Sequence, residues 1–184
     1  MKKIILASVM LLMLSACGGQ QAVRDDSAAA ANKTEQSTAQ AGSVTTPAVA
    51  AETTLAGQKY NISYENGAIN DPGNILSQKT IYFDFDSSEL KPEYLDLVKY
   101  HGKYLALHPD VHVRLEGHTD ERGSREYNIA LADRRAQSVK RLMMFQGVRD
   151  DQITIISYGE EKPADPGHNE KAWAKNRRVE IVYE

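Results

Sequence analysis

Cysteine is almost absent: Cys17 is the only one in 184 residues, so no disulfide can close within the chain. Phe and Trp are scarce, three and one against nine Tyr, and a core must therefore be assembled mainly from aliphatic side chains. Basic charge is not in excess. Lys and Arg number 22 against 25 Asp and Glu, a net charge of −3, which argues against a nucleic-acid partner because that would call for a basic face. No apolar run approaches the roughly 20 residues a helix needs to cross a bilayer; the longest, from Ile4 to Leu14, has about eleven. Metal-ligand spacing is missing too, since His118 and Asp120 have no third His or Cys at a suitable distance in sequence. No nucleophile and base stand together, Glu160-Glu161 looks like a solvated loop pair, and no loop has the glycine spacing that cradles phosphate. No enzyme and no cofactor is expected.

What is present begins at the N-terminus. Met1-Lys2-Lys3, the short apolar run and Leu14-Ser15-Ala16-Cys17 have the layout of a secretory signal. The last four residues resemble the bacterial lipobox, in which the Cys becomes the acylated N-terminus after cleavage. That implies a signal peptide over 1–16 and lipidation of Cys17. Two or three acyl chains anchor stably where one binds only marginally, at ~0.8 kcal/mol per buried CH₂. By the same analogy, Gly18 rather than Asp after the Cys implies sorting to the outer membrane. Loss of Lys2 and Lys3 takes the charge from −3 to near −5.

From Gly18 to Lys59 the chain is Ala, Gln, Thr, Ser and Gly with scattered charges, without one aromatic residue. Such a segment cannot bury enough surface to offset its ordering entropy, so it reads as a disordered tether. Its typical end-to-end distance is roughly 35 Å, and its full reach is on the order of 140 Å. Tyr60 to Lys79, with the turn signals Asn66-Gly67 and Asp71-Pro72-Gly73, reads as an irregular surface lead-in. The expected organisation is a signal over 1–16, a lipidated N-terminus and tether over 17–67, and a domain over 68–184 with its regular structure from Thr80 onward.

Within the domain, Ile81, Phe83 and Phe85 alternate with polar residues as a strand would. Val111, Val113, Leu115 and Gly117 do the same against His112, Arg114, Glu116 and His118. Two further strands are expected over 153–158 and 179–183. A helix is expected from Pro92 to His108, stopped by Pro109, with His101 on its apolar face as a satisfied boundary histidine. A second helix runs from Arg125 to Gln146 and ends at Gly147, and a short one falls near 170–175. The order β-α-β-α-β-β predicts an α/β two-layer sandwich, with helices on one face of a mixed sheet.

One residue does not fit this pattern. At 100° per residue, Arg135 falls in the middle of the second helix's apolar stripe, flanked by Asn128, Leu131, Val139 and Leu142. A buried cation must find acceptors. Two readings stay open: Arg135 pairs internally with Glu116 or Asp120, or it faces a ligand groove at the helix N-terminus. The preceding loop, Gly117-His118-Thr119-Asp120-Glu121-Arg122-Gly123-Ser124, opens a helix whose free N–H groups favour anions. Asp120 beside Arg135 would suit a zwitterion, offering an anion for an ammonium and a fork for a carboxylate.

These blocks carry a resemblance. Ile81-Tyr82-Phe83-Asp84-Phe85-Asp86, the loop 116–123, Glu126-Tyr127-Asn128-Ile129-Ala130-Leu131 with Arg134-Arg135-Ala136, Ser157-Tyr158-Gly159-Glu160-Glu161-Lys162-Pro163 and Asn176-Arg177-Arg178-Val179-Glu180 resemble the OmpA-like domain family. The resemblance implies binding of peptidoglycan through the meso-diaminopimelate of its stem peptides. By position, Asp120 and Arg135 are then the paired groups that hold the amino-acid end. Asn128 and Asp86 are further groove contacts, with Thr119, Glu121 and Tyr127 as lesser ones. With the lipobox and tether, it implies a non-enzymatic anchor between outer membrane and wall, partnered by TolB and other Tol proteins during envelope constriction and cell division. Alternatives are an OmpA-like wall-anchoring lipoprotein outside the Tol system, or a periplasmic wall hydrolase using Glu121 or Asp120.

Overall fold

The computed structural model describes residues 51–184; the signal, Cys17 and the tether as far as residue 50 lie outside the described residues. The stretch 51–67, assigned above to the tether, is structured. β1 (Ala51–Leu55) and β2 (Gln58–Ile62) form an antiparallel hairpin in which Leu55 faces Gln58. Ala56 and Gly57 make its two-residue turn, both with positive φ, as a turn matched to strand twist requires. Tyr60 is buried, and Leu55 and Ile62 pack against the core. The alternation in each strand covers only two inward residues, too few to stand out from the Ala- and Thr-rich sequence around it.

Nor is the segment after the hairpin a surface lead-in. Ala68, Ile75 and Leu76 join the core, and buried Asn74 accepts from the Leu76 N–H (3.0 Å) and donates to the Ser63 carbonyl (3.1 Å). The folded unit therefore takes in the hairpin at 51–62 rather than starting at 68.

The remaining elements follow the expected order. β3 (Thr80–Tyr82), β4 (Val113–His118), β5 (Ile153–Gly159) and β6 (Arg178–Tyr183) stand in the order β3-β6-β4-β5; β4 and β5 are parallel and the other pairs antiparallel. α1 (Pro92–Leu107) starts on its proline, α2 (Arg125–Met144) packs across β4, β5 and β6, and α3 (Glu170–Asn176) precedes the last strand. The Ser124 hydroxyl accepts from the Tyr127 N–H at 3.2 Å and caps α2, while Gly147 at φ 96° follows its end. Between sheet and helices lie Ile81, Phe83, Leu97, Val98, Leu105, Val113, Leu115, Val139, Val179 and Ile181, all buried. Each such burial contributes roughly 1.5–3 kcal/mol. The structure is the α/β two-layer sandwich expected from the sequence.

His101 is fully buried and satisfied: its Nδ1 lies 2.7 Å from the Tyr183 hydroxyl and its Nε2 2.8 Å from the Gln78 carbonyl. Burial pushes its pKa down to about 4.

Two local differences shape the site. β3 stops at Tyr82, so Phe85 does not continue the inward face with Ile81 and Phe83 but is 59% exposed. The chain turns away there, with Asp86 at φ 53°. In β4 the pairing with β5 shifts after Gly117, and His118, on the polar phase of the strand, is buried against Tyr158 with ring centroids 5.4 Å apart. At Gly117 an added Cβ would stand 2.3 Å from the Ala132 carbonyl oxygen. Only glycine lets α2 lie this close to the end of β4, and that approach brings Arg135 to the His118 carbonyl at the strand's C-terminal end.

Candidate functional site

Three segments meet at the N-terminal end of α2: the loop 84–87 after β3, the loop 119–123 after β4, and the first turns of α2 itself. They enclose a cleft of about 210 Å³ lined by Phe85, Asp86, Thr119, Asp120, Arg122, Gly123, Tyr127, Asn128, Leu131 and Arg135. Six of the seven residues expected from the sequence are brought together here. The exception is Glu121, which turns to the other side of its loop and accepts from the Trp173 indole N–H at 2.9 Å and lies 2.7 Å from His168 Nδ1. It lines a neighbouring hollow with Glu160 and Asp165, which touches the cleft only through Thr119. The chain bends at Glu121, where Asp120 accepts from the Arg122 N–H two residues on, so that Asp120 and Arg122 line the cleft and Glu121 does not.

Arg135 is fully buried beneath the cleft, and its partners are neither of the carboxylates considered above. Nε donates to the Ser87 carbonyl (2.8 Å), one terminal nitrogen to the His118 carbonyl (2.9 Å) and the other to the Asp84 carbonyl (3.0 Å). Glu116 instead pairs with Arg114 at 2.7 Å. Three of the five guanidinium N–H donors are thus used, which leaves one on each terminal nitrogen. Burial lowers the Arg135 pKa to about 10, with the field of Asp120 opposing, so the side chain stays a cation at neutral pH.

Asp120 is buried beside it but is bound to other arginines. Oδ1 accepts from the backbone N–H and Nε of Arg122, both at 3.1 Å. Oδ2 accepts from an Arg122 terminal nitrogen at 2.7 Å and from Arg177 at 3.2 Å. Burial alone would push its carboxyl up, but these donors outweigh it and hold the group below the usual carboxylate range. Asp86, in contrast, is exposed and accepts from the Tyr127 hydroxyl, while buried Asn128 donates to Glu160. Thr119 is buried and its hydroxyl has no hydrogen-bond partner among the described residues. The cleft thus joins a buried cation whose near partners are all carbonyls with two carboxylates at different heights, a pattern suited to a small ligand of both charges.

The OmpA family model matches residues 82–177, which contain all seven of these positions. A peptidoglycan-associated lipoprotein of Pseudomonas aeruginosa is 46% identical over 126 residues, covering 68% of this chain and 74% of that protein. The chain belongs to the OmpA family, among its peptidoglycan-associated lipoproteins. A relative of the same name from Legionella pneumophila is 44% identical over 143 residues, 78% of this chain and 77% of that one. The crystal structure of the peptidoglycan-associated lipoprotein from Burkholderia pseudomallei superposes with a TM-score of 0.63 at 44% identity, covering 64% of this chain and 99% of that chain.

The family match leaves out the β1–β2 hairpin and ends at Arg177. Sequence reasoning passed over Arg177 as a partner of Asp120, and over Phe85, Arg122, Gly123 and Leu131 in the lining. Arg122 and Gly123 stood in the loop already singled out, and Leu131 was on the stripe of Arg135. Arg177 lies 57 residues from Asp120, and only the pairing of β6 beside β4 brings them together.

Proposed function

We propose that this protein is an outer-membrane lipoprotein, acylated on Cys17, whose domain holds the cell wall without covalent bonds. The cleft takes the diaminopimelate end of a stem peptide, Arg135 receives its free carboxylate, and Asp120 or Asp86 receives its ammonium. Asn128, Thr119 and Tyr127 line the same cleft, while Glu121 acts from beside it. The observation that carries this reading is Arg135: a buried cation with one N–H left on each terminal nitrogen, the pair a carboxylate can take as a fork. The size agrees, since about 210 Å³ lies below the roughly 300–1,000 Å³ of drug-sized sites and suits one amino-acid end rather than a glycan chain. The names of the relatives point the same way. The role is that of an anchor rather than an enzyme, and within the envelope it works with TolB and other Tol proteins in integrity and division.

Lysine is diaminopimelate without the second carboxylate, and this makes a clean test. A diaminopimelate tripeptide should bind at least about tenfold more tightly than its lysine counterpart, the value of one charge-assisted bidentate contact. Equal binding of the two peptides would refute the assignment of Arg135. Incubation with wall sacculi should sediment the protein without releasing soluble muropeptides, and palmitate labelling should vanish in Cys17→Ser.

A further inference from the structure

In this structure Asp120, the buried one of the two carboxylates that an ammonium could meet, has no lone pair to offer. A carboxylate has about four acceptor positions. Those of Asp120 are filled by the Arg122 backbone N–H, the Arg122 Nε, an Arg122 terminal nitrogen and Arg177. Two of the four come from the side chain of Arg122. Resting on the reading of the cleft as a diaminopimelate site, we infer that Arg122 is a specificity-determining latch: its guanidinium holds Asp120 until a ligand's own ammonium displaces it.

The two arginines on Asp120 are not equally free to leave. Arg177 is 7% exposed and is also held by the Phe83 carbonyl at 3.2 Å and by Glu170 at 2.8 Å. Arg122 is 31% exposed and lies between two aromatic faces, its guanidinium carbon 4.1 Å from the Phe85 ring centre and 4.2 Å from that of Trp173. Glu170 stands 3.6 Å from its other terminal nitrogen. On release, Arg122 keeps a cation–π sandwich and a carboxylate on the solvent side, so only its two side-chain bonds to Asp120 are exchanged. A ligand carrying a carboxylate alone has nothing to put in their place, and the latch stays shut. The cleft thereby selects ligands that bring both charges, where Arg135 by itself would accept any carboxylate of the right size.

The test compares wild type with Arg122→Gln by calorimetric titration of two tripeptides. One ends in meso-diaminopimelate, the other in 2-aminopimelate, which keeps the distal carboxylate and lacks the distal ammonium. Removing the competitor should tighten diaminopimelate binding by roughly two- to tenfold, whereas the 2-aminopimelate peptide, whose carboxylate loses a neighbouring cation and gains no partner, should bind no more tightly. In the wild type, the Arg122 Nε–H resonance should shift and exchange faster with solvent when the diaminopimelate peptide is added, and not with the other; this readout needs no variant. Weaker diaminopimelate binding in Arg122→Gln, an equal gain for both peptides, or an undisturbed Arg122 resonance at saturation would overturn the latch while leaving the site itself standing. If neither protein binds the diaminopimelate peptide at all, the site reading falls and the latch with it.

Discussion

Replacing Arg135 by Met removes the guanidinium and keeps most of the side-chain volume. Three hydrogen bonds to backbone carbonyls are lost, each contributing roughly 1.5–3 kcal/mol when the donor is charged. Against this, the protein no longer holds a cation out of water. Burial takes the Arg135 pKa from its ordinary value down to about 10, which puts that relief at roughly 3 kcal/mol, at 1.36 kcal/mol per unit. The carbonyls of Ser87 and Asp84 sit on a surface loop and regain water, whereas that of His118 does not. A net loss of about 2–5 kcal/mol follows, enough to move a urea midpoint by roughly 1–2 M.

The loss has a location. Arg135 ties the loop 84–87 to the end of β4, so hydrogen exchange in that loop should rise before the rest of the domain responds. Wall binding per folded molecule should drop at least about tenfold in the same variant. Arg134→Met, one residue away on the exposed side of α2, is the control and should stay within about 0.5 kcal/mol of wild type. A variant of Arg135 as stable as wild type would refute the view that the three carbonyls are its working partners. Undiminished sedimentation with sacculi would refute its place in the site.

The buried histidines predict acid sensitivity: His101 and His118 titrate near 4 when folded and near 6.5 when unfolded, because burial disfavours their charged forms. Between those values the unfolded chain takes up protons that the folded one refuses, so the histidines' contribution to stability falls as pH drops from 6.5 and is fully lost below about 4. Urea midpoints between pH 6.5 and 5, above the main carboxylate range, should show the slope, and His101→Gln should reduce it by about half; a flat profile would contradict it. Tyr60→Ala tests the hairpin, since loss of a buried aromatic should cost about 2–5 kcal/mol, whereas a residue in a disordered tether would change stability by less than about 0.5 kcal/mol in thermal or chemical denaturation.

How much of this was legible in the sequence follows from the range of the interactions involved. The four main strands and two long helices could be read because each has its own period and most have stop signals: Pro92 and Pro109 around α1, Gly147 after α2. The stripe containing Arg135 marked the site for the same reason, since a helix places residues by local geometry alone. The hairpin at 51–62 could not be read, because strands of five residues without a sustained pattern are stabilised by what Tyr60, Leu55 and Ile62 touch.

Partner choice within the site was likewise a tertiary matter. Residue spacing put Asp120 near Arg135, but β6 delivers Arg177 to that carboxylate, and the sharp departure of the chain after Phe83 delivers the Asp84 and Ser87 carbonyls to the guanidinium. Backbone carbonyls leave no mark on amino-acid identity, so no sequence pattern could have named them. The sequence determined which residues are charged, which are apolar and where each helix begins. Which acceptor satisfies which buried charge depended on segments up to 94 residues apart, and only the packed sheet decides their meeting.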